Sequence, residues 1–119
     1  MEIIERRMKE RTKIINDAKQ YASTLKFKCS AILIGSYSRG DFNLWSDVDI
    51  LIIGNFSGNP VERINSIDFP PGYEIIPLNM EELNKKLTKN DKFIEDSFRD
   101  GVIFRDDFNI EVIVKKYIQ

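Results

Sequence analysis

Two aspartates separated by one residue are the feature of this 119-residue sequence that most clearly predicts chemistry. Asp47 and Asp49 belong to the segment D-V-D-I-L-I-I, whose apolar residues predict a buried strand over residues 47–53. Because side chains alternate along a strand, both carboxylates would leave the sheet on the same face. They would repel each other by about 1 kcal/mol in water and by several times more near a protein surface. A divalent cation would offset that repulsion, and an all-oxygen site suits Mg²⁺ or Mn²⁺.

A glycine turn comes before the aspartates. Gly35 and Ser36 follow an apolar run that predicts a strand over residues 30–34. Glycine allows a tight turn and the close approach of a ligand. A helix that starts at Ser36 would offer free N–H groups to a phosphate, although Ser36 also suits a helix N-cap without a ligand. A phosphate site beside a metal site is what metal-assisted phosphoryl or nucleotidyl transfer needs.

The combined pattern resembles the signature of the nucleotidyltransferases related to DNA polymerase β. Ten residues separate the Gly-Ser pair from Asp-Val-Asp, as in that signature. The matching positions are Gly35-Ser36, Arg39-Gly40 and residues 46–49. The resemblance is densest over residues 29–54 and extends more loosely through residues 73–83 and 101–107. The size of the chain is similar to that of the minimal, stand-alone members found in archaea and bacteria.

The resemblance implies a mechanism and a third acidic residue. Gly35 and Ser36 would hold the β- and γ-phosphates of a nucleoside triphosphate, while Asp47 and Asp49 would bind one or two Mg²⁺ ions. The family places a further carboxylate on a neighbouring strand, between apolar residues, and Glu74 matches that pattern with glutamate where aspartate is commoner. Glu74 would complete the metal site or accept the proton of the attacking hydroxyl. The alternative for Glu74 is an exposed strand residue paired with a lysine.

Residues 37–46 contain two side chains with two interpretations each. The guanidinium of Arg39 suits a triphosphate, and it equally suits a pair with Asp41 or another nearby carboxylate. Trp45 could stack on a base or could anchor its loop. The sequence leaves both alternatives open.

A chain of this length predicts a single domain over residues 1–119, without room for the acceptor-binding domain of larger family members. The minimal members that it resembles often pair with a small helical protein of the HEPN type, and some pairs act as toxin and antitoxin. The resemblance therefore implies transfer of AMP from ATP to a hydroxyl, such as a tyrosine of a partner protein, with self-association as the other way to complete the site. An inert nucleotidyltransferase-fold module that only binds a partner is the alternative from another class. A phosphatase or another two-metal hydrolase would leave the Gly-Ser turn without a purpose.

Composition narrows the class of protein. The net charge is −1, which predicts no general attraction to nucleic acid or to membranes. The absence of histidine from the sequence excludes histidine chemistry, and the single Cys29 suggests a reducing compartment. The first residues are charged and lack the apolar segment of a signal peptide, so we expect a cytoplasmic protein.

The remaining pattern predicts an α+β (α/β) fold, with helices around a small mixed sheet of about four strands. Residues 2–26 predict a first helix, whose apolar stripe comprises Ile4, Met8, Ile15, Ala18, Ala22 and Leu25. Up to residue 28 there are eight Lys or Arg against four Asp or Glu, which fits a solvated face or a nucleic-acid patch. Further predicted elements are a short helix over 61–67, a strand over Tyr73–Leu78, a helix capped by Asn79, a helix over 92–99 that buries Phe93, Ile94 and Phe98, a strand over 102–104, and an ambiguous helix or strand within 106–117. The acidic pair at residues 106–107 predicts a solvated turn.

Overall fold

The computed structural model describes residues 2–43 and 45–118, and these form six helices and four strands. In chain order the elements are α1 (Glu2–Thr24), β1 (Cys29–Ile34), α2 (Gly35–Arg39), β2 (Val48–Gly54), α3 (Pro60–Ile64), β3 (Tyr73–Leu78), α4 (Met80–Thr88), α5 (Lys92–Asp100), β4 (Val102–Asp106) and α6 (Glu111–Ile118). The strands form one sheet in the order β3-β2-β1-β4. Strand β1 runs antiparallel to β2 and β4, whereas β2 and β3 are parallel. The predicted mixed four-stranded sheet flanked by helices is confirmed.

Helices cover both faces of the sheet, which explains the unbroken apolar runs of the two central strands. All six residues of β1 are buried, and so are six of the seven residues of β2. The hydrophobic core on the face of the sheet covered by α1 includes Ala18, Ala22, Ala31, Leu33, Ile50 and Ile52. The hydrophobic core on the opposite face, covered by α4, α5 and α6, includes Ile32, Leu51, Leu83, Ile94, Phe98 and Ile110. Asp49 shares the alternation of Leu51 and Ile53, so it belongs to the face that α4, α5 and α6 cover.

The first half of α1 extends beyond the sheet. The apolar stripe predicted for α1 is buried only in part, because the side chains of Ile4 and Met8 are 60% and 64% exposed. Ala18 and Ala22, farther along the same stripe, are fully buried. The physical reason is length: the 23 residues of α1 rise by about 34 Å, whereas a strand of six residues spans about 20 Å.

The other end of α1 is fixed by Arg105 in β4. The guanidinium of Arg105 donates to the backbone carbonyls of Ala22, Leu25 and Phe27 at 2.7, 2.8 and 3.0 Å. It also pairs with Asp107 at 2.8 Å. A cation that bonds the last carbonyls of a helix satisfies acceptors that the helix itself leaves free. Arg105 therefore joins the first helix to the last strand.

Asp106 organises the start of α6, so the prediction of a simple solvated turn at residues 106–107 is wrong. The Asp106 carboxylate accepts hydrogen bonds from the Ser30 hydroxyl at 2.9 Å and from the N–H groups of Ile110 and Glu111 at 2.7 and 3.0 Å. The ambiguous segment after it is helical from Glu111 onward. A carboxylate that binds the first N–H groups of a helix stabilises that helix.

The other boundaries agree closely with the sequence pattern. The strand over Tyr73–Leu78 is confirmed, and Asn79 and Glu82 form the capping box of α4. Helix α1 stops at Thr24, two residues before its predicted end, and α3 is shorter than predicted. Strand β2 begins at Val48, so Asp47 precedes the strand instead of opening it. Among the helices of the described residues, none is both long enough and apolar enough to cross a membrane.

Candidate active site

A row of three paired residues crosses the sheet at the edge where β1 ends and β2 and β3 begin. Ile34 lies opposite Asp49 in the antiparallel β1–β2 pair, and Asp49 lies opposite Glu74 in the parallel β2–β3 pair. A cavity of about 270 Å³ opens at this edge, and its lining includes all three residues. The fold thus brings together two acidic residues that are 25 positions apart in the sequence.

Gly35 directly follows β1 and approaches Asp49 closely. Its φ of +73° lies in the left-handed region, which side chains other than glycine rarely adopt. A Cβ atom built on Gly35 would collide with Oδ2 of Asp49. Glycine is therefore required here twice, for the backbone turn and for the space that the carboxylate occupies.

Helix α2 carries the rest of the Gly-Ser element. Arg39, at its last position, lines the cavity and pairs through Nε with Asp41 Oδ2 at 3.2 Å. Both side chains of this pair are exposed, so little free energy is needed to separate them. Ser36 is partly buried, and its carbonyl accepts from the N–H of Gly40 at 2.8 Å. Gly35 and Arg39 are among the cavity-lining residues, whereas Ser36 is not.

Arg11 of α1 holds the end of α2. Its guanidinium donates to the carbonyl of Tyr37 at 2.8 Å and to that of Ser38 at 2.9 Å. These carbonyls belong to the end of α2, where acceptors are left free by the helix. This role of Arg11 could not be predicted from the sequence, because nothing in a basic helix distinguishes this arginine from its neighbours.

Asp49 is the electrostatically unusual residue of the site. Burial raises its pKa to about 6, together with the hydrogen bond that the protonated carboxyl can share with Glu74 and the charges of Glu74 and Asp47, and the charge of Arg39 opposes this. Within the described residues, Oδ1 of Asp49 is buried and has no hydrogen-bond partner. A buried, unpaired carboxylate oxygen is costly, which is the condition that a bound cation or a donor would relieve.

Asp47 and Glu74 flank Asp49 in different ways. Asp47 is exposed, lies outside the strand and does not line the cavity, although its charge raises the pKa of Asp49. Glu74 is exposed, lines the cavity and stands beside Asp49 in the register. The structure thus places Glu74 next to Asp49, while its chemical role stays a prediction.

The carboxylates of the site are suitable ligands for a hard divalent cation, but they are not already arranged around one position. Carboxylate oxygens are the ligands that Mg²⁺ prefers, and the unpaired Oδ1 of Asp49 is an available ligand atom. Yet the described residues contain no group of three Asp, Glu, Cys or His side chains placed to hold a metal ion. Asp47, Asp49 and Glu74 would therefore need to move their side chains to share one ion.

Trp45 is 88% exposed and does not anchor its loop, so that interpretation is wrong. It also lies outside the set of cavity-lining residues. The aromatic ring that does border the cavity is that of Phe93 in α5, which was predicted to be buried and is 49% exposed. Residues 93, 96, 97 and 100 share one face of a helix, but this spacing alone does not show whether that face meets the core or the cavity.

Comparison with known proteins agrees with this geometry. A family model described as a nucleotidyltransferase domain matches residues 11–119. No match was found among curated proteins. A solved candidate nucleotidyltransferase from Sulfolobus solfataricus is 21% identical, covers 86% of this chain and 89% of its own, and superposes with a TM-score of 0.57.

Two further solved structures share the fold. A toxin–antitoxin with AMP-PNP is 16% identical with a TM-score of 0.54, and a mutant of the toxin–antitoxin MntA-HpeT is 14% identical with a TM-score of 0.53. Each covers 87% of this chain and 83% of its own. Since the family model spans most of the sequence, from Arg11 onward, the chain belongs to the nucleotidyltransferase domain family and is a nucleotidyltransferase.

Proposed function

We propose that this nucleotidyltransferase is Mg²⁺-dependent, uses ATP, and transfers AMP to a hydroxyl acceptor, which we take to be a tyrosine of a partner protein. The observation that supports this best is the row Ile34–Asp49–Glu74 with Gly35 folded against it. It puts a tight glycine turn and two carboxylates around one cavity. Nucleotidyl transfer needs a phosphate-binding turn and acidic residues in one place.

The phosphates would lie at the Gly35 and Arg39 end of the cavity. Gly35 leaves the backbone open to a close ligand, and Arg39 can leave its exposed pair with Asp41 to meet the β- and γ-phosphates. Ser36 would add its hydroxyl after a local adjustment of its side chain. Arg11 keeps these groups in position by bonding the end of α2.

Asp47 and Asp49 would hold the Mg²⁺, and Glu74 would contribute a further oxygen or act as a base. Bound Mg²⁺ supplies charge neutralisation for the triphosphate and its leaving group. The acceptor hydroxyl forms a bond to the α-phosphorus, the bond between that phosphorus and the bridging oxygen breaks, and pyrophosphate leaves. In its role as a base, the Glu74 carboxylate would accept the proton of the hydroxyl, since it is exposed, lines the cavity and lies opposite Asp49.

The acceptor is proposed to come from another protein. The structural neighbours described as toxin–antitoxin point to a protein partner, and the resemblance to minimal family members points to a small helical protein of the HEPN type. Self-association of the chain is the other arrangement that would complete the site. We infer AMP as the transferred group because one neighbour was solved with the ATP analogue AMP-PNP.

The direct test incubates the chain with Mg²⁺, α-labelled ATP and the helical protein encoded in an adjacent reading frame. We expect the label to be retained on a tyrosine of that protein, and γ-labelled ATP to leave no label. Asp49→Asn should abolish labelling, and Asp41→Asn, which changes an exposed carboxylate next to the site, should preserve it. Full labelling by Asp49→Asn would refute the assignment of the site.

A second function, an inert module that binds its partner, is favoured by one observation. The carboxylates are not placed as a preassembled metal cluster in the described residues. Such a module would bind the partner equally with or without Mg²⁺ and ATP, and it would leave α-labelled ATP unconsumed. Turnover of ATP onto any acceptor excludes it.

A further inference from the structure

The cavity has a third wall that neither the Gly-Ser turn nor the carboxylates provide. Helix α5 buries Ile94 and Phe98 in the core. The cavity is lined instead by Phe93, Asp96, Ser97 and Asp100. Their spacing of three, four and seven residues places them on one side of the helix. We call these four residues the α5 wall.

Phe93 gives the α5 wall an apolar surface that is open to a ligand. Its ring is 49% exposed, whereas Ile94 and Phe98 of the same helix are 1% exposed or less. Ile34 and Ile76 of the sheet border the same cavity, so apolar side chains face it from two directions. An exposed aromatic ring at the rim of a polar cavity is suited to stacking against a flat ring.

The charges of the cavity decide which part of a nucleotide can lie there. Asp96 and Asp100 add two carboxylates to those of Asp49 and Glu74, and the cationic side chain in the lining is that of Arg39. Arg99 pairs with Asp96 at 2.9 Å and with Asp100 at 3.4 Å, and Lys92 pairs with Asp96 at 3.7 Å. Neither cation lines the cavity, so the charges that the α5 wall presents to a ligand are those of the carboxylates. A polyphosphate is therefore repelled from the α5 wall, and an uncharged nucleoside is not.

We propose that the α5 wall is the nucleoside subsite of the enzyme, and that the base of the substrate stacks on Phe93. This inference rests on the proposed function, since it assumes a nucleoside triphosphate with its phosphates at the Gly35 and Arg39 end. The cavity volume of about 270 Å³ is near the lower end for small-molecule sites, so it holds part of a nucleotide and leaves the rest exposed. The acidic residues of the wall orient the nucleotide, because the reversed orientation would place its phosphates against carboxylates.

The test compares the affinities of ATP and inorganic tripolyphosphate, both with Mg²⁺, by calorimetric titration of the full chain. Phe93→Ala should weaken ATP binding about tenfold or more, which is the scale of stacking one base on an aromatic ring, and should leave tripolyphosphate binding unchanged. Phe93→Trp keeps an aromatic ring and should retain the affinity for ATP. Val112→Ala is the matched control, because Val112 is a similarly exposed apolar residue, 54% accessible, on α6.

The outcomes separate this inference from the function on which it rests. An unchanged ATP affinity in Phe93→Ala overturns the subsite and leaves the proposed function intact. An equal loss for ATP and tripolyphosphate also overturns it, since the residue would then act on the whole site. If the wild-type chain binds neither compound, the proposed function fails and the subsite fails with it.

Discussion

Replacing Gly35 by alanine is the sharpest test of the site geometry. Two separate effects are expected. Alanine at a φ of +73° is strained by about 1–2 kcal/mol, and its Cβ would occupy the position of Asp49 Oδ2. The Asp49 carboxylate must then move by about 1 Å, and a misplacement of that size reduces the rate of an enzyme about 100-fold.

Gly40 offers a matched control at the other end of α2. Its φ is +86°, so alanine is strained there as well, but nothing in the described structure lies within 4 Å of the added Cβ. We expect backbone strain to cost each variant about 1–2 kcal/mol of free energy of unfolding, and Gly35→Ala to lose somewhat more because its Cβ also overlaps Asp49. Only Gly35→Ala should lose about 100-fold in the rate of nucleotide transfer.

The assays are urea denaturation for stability and single-turnover transfer of α-labelled ATP for activity. Each variant is compared with the wild type at the same protein and Mg²⁺ concentrations. Equal rates for the two variants would refute the argument that Gly35 is needed because Asp49 fills the space beside it.

Three further predictions concern the bonds that support the site. Arg11→Ala should destabilise the protein by about 1–3 kcal/mol and weaken ATP binding, because two charged hydrogen bonds to the end of α2 are lost. Lys13→Ala, on the exposed side of α1, is the control, and equal melting temperatures of the two variants would contradict the role given to Arg11. Arg105→Gln should lose about 3 kcal/mol in urea denaturation, because bonds to three carbonyls of and after α1 weaken, and a loss below about 1 kcal/mol would count against it. A hydrogen bond from Arg63 holds the pKa of Glu82 below its ordinary value of 4.5, so this carboxylate stabilises the fold above pH 4.5 and ceases to do so as the pH falls through the lowered pKa. The difference in free energy of unfolding between wild type and Glu82→Gln, measured by urea denaturation at a series of pH values, should be full at neutral pH and shrink in acid. A difference that does not change with pH would refute this.

The central part of the fold could be predicted because its signals are local and mutually consistent. The apolar runs of β1 and β2, the strand over Tyr73–Leu78 and the cap at Asn79 each follow from a few adjacent residues. That Glu74 lies on a strand near the aspartates was implied only by the family resemblance, and the register that sets it opposite Asp49 comes from the structure.

The rest depended on packing over long sequence separations. Phe93 was assigned to the buried side of its helix, because spacing alone does not tell which of two adjacent apolar stripes faces the core. Ile4 and Met8 continue a buried stripe, but the sheet beneath them is shorter than the helix. The hydrogen bonds of Arg11 span 26 and 27 positions of the sequence, and those of Arg105 span 78 to 83. No local sequence pattern predicts bonds over such separations.

The attachment of α1 to Arg105 also has a consequence for the order in which the protein is built on the ribosome. The strand that secures the end of the first helix is synthesised roughly eighty residues after that helix. Until that strand emerges, the apolar side of the helix can pack only on β1 and β2, and the carbonyls at its end lack the guanidinium that binds them in the folded protein. Translation speed and chaperone access during that interval would then influence how much of the enzyme reaches its native state.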